Sequence, residues 1–258
     1  IAVERGENFF SVQGSAGLLK TPLEKIFVGN AGTTMRFLTT LSALAPGEVI
    51  LTGDERMCER PIGHLLDALG KMGVGARSIN GDECPPIKIS GEGVHGGNII
   101  VAGDLSSQYI TSLLLCAPFF KNDTSIKIVG NMTSKSYIDI TLDIMRAFGA
   151  IVENDHWVEF KVPSGQSYSA RTYRIEGDAS SASYFFSAAA IAGGEVTVTG
   201  LNHKSIQGDA GFVNALEAMG CQVKRSPEKI TVCGNELRGI NINMNTMPDT
   251  AQTLAVTA

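Results

Sequence analysis

One succession of elements returns along the chain and narrows the folds open to it. An apolar strand, Ile26–Val28, enters a small-residue turn, Gly29-Asn30-Ala31-Gly32-Thr33-Thr34, and the apolar stretch from Phe37 to Leu44 reads as a helix. A strand from Glu48 to Thr52 follows, then a second helix from Pro61 to Met72 stopped by Gly73, then strand Ile87–Ile89. The order repeats as strand Asn98–Ala102, turn Gly103–Gln108, helix Tyr109–Phe119, strand Ser125–Val129, helix Tyr137–Phe148 and strand Val158–Val162. A third copy runs through strand Tyr173–Glu176, turn Gly177–Ala182, helix Ser183–Ala192, strand Glu195–Thr199, helix Gly211–Met219 and strand Lys229–Val232. Ile240–Met244 and the turn Asn245–Asp249 open a fourth, and Phe9–Gly14 reads as a strand near the start. Thr34, Ser107 and Ser181 stand 73 and 74 residues apart, while Met72, Phe148 and Met219, each followed by Gly, mark the second helices. Each unit leaves an apolar face that it cannot bury alone. Neighbours are therefore expected to pack helix to helix with sheets outward, bringing the N-terminal turns together.

Bulk properties restrict function by exclusion. With 258 residues and 43% hydrophobic content the chain can bury a substantial core, and its length fits one large domain or two. The longest apolar runs, Leu113–Phe120 and Ala188–Ala192, are far below the roughly 20 residues of a membrane span, so no membrane partner and a soluble, cytoplasmic protein are expected. A net charge of -5 leaves no basic footprint for nucleic acid, so an anionic ligand needs a local cradle. Five cysteines without a CxxC pair read as free thiols in a reducing compartment. His64, His95, His156 and His203 show no metal-ligand spacing and read as surface or packing residues. The polar loop Ser164-Gly165-Gln166-Ser167 is the expected domain boundary, dividing residues 1–165 from 166–258.

The turns carry the chemistry. Small residues at a helix head leave backbone N–H groups open to an anion, and Gly32 lets a ligand approach the main chain. Ser106, Ser107 and Gln108 occupy the same place in the second copy, where one serine alone would suffice as an ordinary N-cap. Asp249 follows Pro248 at a helix start and could equally be a cap. A dinucleotide fold is disfavoured, because GNAGTT lacks the third glycine of GxGxxG and no acidic ribose partner ends the next strand.

Six ordered motifs then carry a resemblance over the whole chain: GNAGTTMRFL at 29–38, ERMCERPIGHL at 55–65, GDLSSQYITSLL at 103–114, TSKSYIDITL at 133–142, GDASSASYF at 177–185 and MPDTA at 247–251. Together they resemble the EPSP synthase family, the 3-phosphoshikimate 1-carboxyvinyltransferases. The resemblance implies an α/β fold, an inverse α/β prism of βαβαββ-type repeats with helices inside and sheets outside. It also implies two domains, closing on substrate at the cleft between them. Residues 1–165 would then be most of the first domain (the tail of one repeat and two whole ones), and 166–258 one further repeat and the head of another. The activity implied is transfer of the enolpyruvyl group of phosphoenolpyruvate to the 5-hydroxyl of shikimate 3-phosphate, without metal or organic cofactor. Aromatic amino acid biosynthesis is the pathway, glyphosate the expected inhibitor and a monomer the expected state.

Site residues follow from the resemblance motif by motif. Ser106, Ser107 and Gln108 would bind the shikimate phosphate and phosphoenolpyruvate, with Ser134 and Tyr137 completing the phosphate pocket and touching the ring. Gly32 and Arg60 would hold phosphoenolpyruvate, because a planar guanidinium matches carboxylate or phosphate bidentately. Arg36 and Arg56 read as solvated or ion-paired. Asp249 would bond the 5-hydroxyl and take its proton. Asp178, Ser180 and Ser181, though they repeat the second turn, are expected to be structural.

Phe37 and Ser136 stand where many members of the family carry proline, and altered glyphosate sensitivity is the expected consequence at Phe37. The family's opening PGSKS-type motif and its later lysine, glutamate, arginines and histidine have no counterpart here, so the chain alone is expected to show little or no transferase activity. Two alternatives remain: the sister enzyme acting on UDP-N-acetylglucosamine, whose reactive-cysteine motif is not found here, and a non-catalytic substrate-binding fragment.

Overall fold

Within each repeat the apolar alternations become one sheet, and the glycines that follow the second helices set where that sheet turns back. The computed structural model describes residues 2–202 and 204–258, so the expectation for His203 lies outside the described residues. Two compact units emerge. The first comprises Ile1–Met132 and Thr141–Arg171, the second Thr133–Ile140 and Thr172–Ala258.

The first unit begins with an antiparallel hairpin of β1 (Val3–Arg5) and β2 (Phe10–Val12). Its first repeat is β3 (Ile26–Phe27), α1 (Gly32–Ser42), β4 (Gly47–Thr52), α2 (Gly63–Lys71), β5 (Gly75–Ser78) and β6 (Ile87–Gly91). The second repeat is β7 (Gly97–Ala102), α3 (Ser107–Cys116), β8 (Thr124–Val129), α4 (Lys135–Ala147), β9 (Glu153–Asp155) and β10 (Glu159–Val162). The two sheets share one topology, β3-β4-β6-β5 and β7-β8-β10-β9. The first pair of each is parallel (Ile26 opposite Leu51, Ile99 opposite Ile126) and the other pairs are antiparallel. Val49, Leu51, Ile87, Ile89, Ile99, Ile126 and Phe160 point inward and are buried, while Ile100 and Val129 on the other face are exposed. That alternation places helices on one face of each sheet. Helix α3 is buried almost all round, from Tyr109 to Cys116, as an inner helix must be.

The second unit holds α5 (Ala179–Ala192), β11 (Glu195–Thr199), α6 (Phe212–Met219), β12 (Gln222–Arg225), β13 (Lys229–Cys233) and α7 (Ala251–Thr257). Its sheet has the order β11-β13-β12. Phe186, Phe212, Leu216, Ile230 and Val232 form its core.

The three second helices end identically. Gly73, Gly149 and Gly220 adopt φ of 82°, 90° and 121°, a region open to glycine. The N–H groups after them, on Val74, Ala150 and Cys221, reach back to the carbonyls of Leu69, Met145 and Leu216 at 3.1, 2.9 and 3.0 Å. Each closure reverses the chain into an edge strand of its sheet, β5, β9 or β12. The short, partly exposed sequences of those strands carry little alternation, and the chain pattern alone does not reveal them.

Two expected strands are absent. Tyr173–Glu176 and Ile240–Met244 are irregular. In the first two copies the leading strand pairs in parallel with its neighbour, whereas here Gly177 N–H to Gly200 O at 2.8 Å is the bond that joins this stretch to the end of β11, and Ile175 is 83% exposed. β propensity without a ladder does not make a strand. Helices also begin earlier than their apolar stretches: α1 at Gly32 instead of Phe37, α3 at Ser107 instead of Tyr109, α5 at Ala179 instead of Ser183. The small-residue turns are thus the first helical turns, and Phe37 lies in the second turn of α1.

Equivalent helices meet through hydroxyls. Thr40 of α1 and Ser112 of α3, both buried, lie 2.9 Å apart. Because Ser112 donates to Tyr109 O at 2.8 Å, Thr40 donates to Ser112. Ser112→Ala therefore leaves the Thr40 hydroxyl buried without this acceptor and is expected to cost about 1–3 kcal/mol. Adding Thr40→Val to that variant is expected to restore part of the loss, as read by urea unfolding of the two variants.

Candidate functional site

Each unit brings part of the expected set together. In the first unit the head of α1 has no side-chain cap, so its first N–H groups point outward unclaimed by any capping side chain. Arg60, which follows a single 3-10 turn at Met57–Glu59, swings its guanidinium over this head: a Cβ built on Gly32 would lie 2.8 Å from Nη1 and 2.9 Å from Nη2. The hydrogen of glycine is what leaves room for the cation. Neighbouring Arg56 is neutralised by Glu59 at 2.7 Å, whereas no ion pair or side-chain hydrogen bond engages Arg60 among the described residues. A guanidinium and the positive end of a helix, converging without a carboxylate, form an anion receptor.

The head of α3 stands beside it. Ser106 is its N-cap and accepts from Gln108 N–H at 3.4 Å, a long bond that holds the hydroxyl weakly. Ser107 is buried and Gln108 half-buried. Arg36 Nη1 donates to Gln108 Oε1, and the Arg36 guanidinium lies 5.2 Å from the Tyr109 ring centre. Arg36 thus ties the two heads together, where a solvated or ion-paired side chain is expected from sequence. Its signal was its place: one turn into α1, on the stripe that faces α3. Tyr109 OH in turn donates to Pro61 O at 3.1 Å, which anchors the segment carrying Arg60.

The second unit assembles the remainder. Ser134 adopts φ of 56°, a left-handed conformation uncommon for a residue with a side chain, just before α4. Tyr137 OH donates to Asp249 Oδ2 at 2.7 Å and lies 3.4 Å from Asp209 Oδ2. Burial, then the hydrogen bond to Asp249, raises the Tyr137 phenol, so it stays a donor at any physiological pH. Asp249 sits in the 3-10 turn Pro248–Thr250 ahead of α7, and that helix has no side-chain cap. Its carboxylate serves Tyr137 and solvent, not the helix. Asp209 was missed from sequence; it stands at the head of the third repeat's second helix, the part of the unit that in the first two repeats carries Arg60 and Ser134.

The head of α5 differs in kind. Asp178 accepts from the N–H groups of Ser180 at 3.1 Å and Ser181 at 3.3 Å, and also from the Ser181 hydroxyl. Its own carboxylate fills the place where an external anion would bind. The Ser181 hydroxyl and these N–H groups hold the Asp178 carboxyl below the usual carboxylate range.

Comparison with known proteins bears on these heads. A family model described as EPSP synthase (3-phosphoshikimate 1-carboxyvinyltransferase) matches residues 1–258. The chain belongs to the EPSP synthase family. A relative named 3-phosphoshikimate 1-carboxyvinyltransferase from Pseudoalteromonas translucida is 46% identical over 259 residues, covering 100% of this chain and 61% of the relative. Another of that name from Aliivibrio salmonicida is 48% identical over 246 residues, covering 95% and 58%. A solved EPSP synthase from Acinetobacter baumannii shares the fold with a TM-score of 0.81 at 23% identity, over 98% of this chain and 58% of that one. The chain therefore spans about three fifths of the length of these family members. No helix among the described residues is long and apolar enough to cross a membrane, and no His, Cys, Asp and Glu group among them could hold a metal.

Capping by Asp178 is testable through pH. Its folded-state pKa lies below the ordinary 3.8, so its contribution is present above that value and lost as pH falls through the folded one. Asp178→Ala is expected to cost about 0.5–2 kcal/mol at pH 7. The difference from wild type should close on acidification, measured by thermal unfolding between neutral pH and acid.

Proposed function

We propose that the chain serves enolpyruvyl transfer from phosphoenolpyruvate to the 5-hydroxyl of shikimate 3-phosphate, giving 5-enolpyruvylshikimate 3-phosphate and phosphate. The observation that carries this reading is the unpaired Arg60 guanidinium seated over Gly32 at the uncapped head of α1. There the cation and N–H groups hold the carboxylate and phosphate of phosphoenolpyruvate and stabilise charge developing on it. Ser106, Ser107 and Gln108 take phosphate oxygens at the neighbouring head, and Ser134 with Tyr137 orients the sugar-like substrate. Asp249 accepts the proton of the 5-hydroxyl as the hydroxyl oxygen bonds the phosphate-bearing carbon C2 of phosphoenolpyruvate, and a general acid delivers a proton to its terminal carbon C3. Loss of phosphate, with loss of a proton from the methyl carbon, then regenerates the double bond. Glyphosate, as a phosphonate bearing a carboxylate, competes at Gly32 and Arg60.

The domain division at residues 165 and 166, a monomeric state and a cytoplasmic location belong to the same proposal. Its thiols fit it. All five cysteines are free, as a reducing compartment allows, and four of them are held as thiols. Burial pushes Cys116 up to about 12 and raises Cys84 and Cys221, and a hydrogen bond to Glu195 raises Cys233.

Titration calorimetry tests the binding half of the proposal on this chain. Shikimate 3-phosphate is expected to bind, and Ser107→Ala to weaken it. Arg60→Ala is expected to weaken phosphoenolpyruvate about 10–100-fold, the equivalent of one charge-assisted contact of about 1.5–3 kcal/mol. Turnover is read in a chimaera in which this chain replaces the matching part of the Pseudoalteromonas translucida relative. Absence of binding by the folded chain, together with an inactive chimaera, overturns the proposal.

A further inference from the structure

Asp209 is a carboxylate that neither the cap of a helix nor an ion pair accounts for. It is 4% exposed, in the 3-10 turn Gly208–Gly211 ahead of α6. Gln207 before it is spent on the main chain, its side chain bonding Ala179 N–H and Gly177 O. Asp209 Oδ2 accepts from the Ser180 hydroxyl and lies 3.4 Å from Tyr137 OH, while Oδ1 is buried with no hydrogen-bond partner among the described residues. The turn is packed closely against the chain before Asp249: a Cβ on Gly208 would lie 2.0 Å from Thr246 O.

Proton counting gives the arrangement its meaning. Tyr137 has one hydroxyl proton and two carboxylate neighbours, Asp249 at 2.7 Å and Asp209 at 3.4 Å. The shorter contact takes that proton. The longer one is then a hydrogen bond only if Asp209 carries a proton and donates it to the Tyr137 oxygen; otherwise two lone-pair-bearing oxygens face each other in a buried place. A neutral Asp209 also removes the cost of an ionised Oδ1 without a partner. Burial, and after it the negative charges of Asp249 and Asp178, raise the Asp209 carboxyl, while the Ser180 and Tyr137 hydroxyls act the other way. These are the groups that bear on it.

We propose that Asp209 is a positioning residue, which as a neutral acid donates to Tyr137 and so aims the Tyr137 hydroxyl at Asp249. The chain Asp209 to Tyr137 to Asp249 runs in one direction. It fixes the rotamer of the phenol's proton on Asp249 Oδ2 and so orients the carboxylate toward substrate. The inference rests on the role given to Asp249 under the proposed function, but its core, a protonated Asp209 coupled through a phenol to Asp249, is independent of any ligand.

Two readouts separate the layers. Carboxyl carbon NMR of the aspartate-labelled chain, without ligand, is expected to show Asp209 titrating above the ordinary range. In Asp209→Ala the Asp249 carboxyl resonance is expected to shift, while Asp209→Asn, a neutral donor of the same shape, leaves it near wild type. Tyr137→Phe should make Asp249 insensitive to either change at Asp209. The second readout is affinity for shikimate 3-phosphate by calorimetry: about a tenfold loss in Asp209→Ala and recovery to within about twofold in Asp209→Asn. Thermal unfolding identifies any variant that fails to fold, and Asp209→Asn with Tyr137→Phe then decides through the NMR arm. An Asp209 that titrates as an ordinary carboxylate, or an Asp249 indifferent to Asp209 in the folded protein, overturns the inference. If wild type binds no shikimate 3-phosphate, the functional reading fails, and the NMR arm still decides the coupling.

Discussion

The hydroxyl contacts between equivalent helices set the register on which the rest depends. Thr40 and Ser112, from α1 and α3, are 72 residues apart in sequence, and so are Arg36 and Gln108, one helical turn nearer the helix heads. Ser183 with Thr253, and Ser187 with Thr257, repeat the device between α5 and α7 with a separation of 70 residues. An apolar interface alone would let parallel helices slide by fractions of a turn, since one methyl packs much like another. A directional bond between two buried oxygens does not slide. In the first unit it levels the heads of α1 and α3, so that an uncapped turn and one weakly capped by Ser106 stand side by side.

Levelled heads then acquire opposite electrostatic characters in the two units. Arg60 and Arg36 converge on the first unit's heads, with Arg36 spent on Gln108 and Tyr109 and Arg60 left without a carboxylate. Asp178, Asp209 and Asp249 gather in the second unit, where one caps a helix, one is buried and one faces solvent beside Tyr137. A chain of modest net charge can in this way gather cations at one set of helix heads and carboxylates at another without a global field of either sign.

Much of this was legible in the sequence, for reasons that also explain what was not. The repeat was legible because it rests on local chemistry: a glycine after Met72, Phe148 or Met219 is needed wherever the chain must turn left-handed, and small residues recur wherever a helix head must stay open. Helix starts were placed late because apolar periodicity begins only where the helix meets the core, a turn after the backbone is already helical. The strand expected at Tyr173–Glu176 failed because a strand is a property of a pair, and no window of one segment contains its partner. Asp209 was illegible for a similar reason. An aspartate in a Gln-Gly-Asp turn reads as a cap or a solvated loop residue, and only the approach of Tyr137 from 72 positions away shows it to be neither.

The contrast between the heads of α1 and α5 has a consequence for how duplicated scaffolds acquire selectivity. Both are copies of one turn, yet Asp178 occupies the head of α5 with an internal ligand while Ala31, at the same place before α1, cannot. A single side chain per copy thus decides whether the scaffold's inherent affinity for anions is expressed or silenced. Repetition can then multiply a stable architecture without multiplying its binding sites, and substrate is not divided among equivalent but unproductive locations.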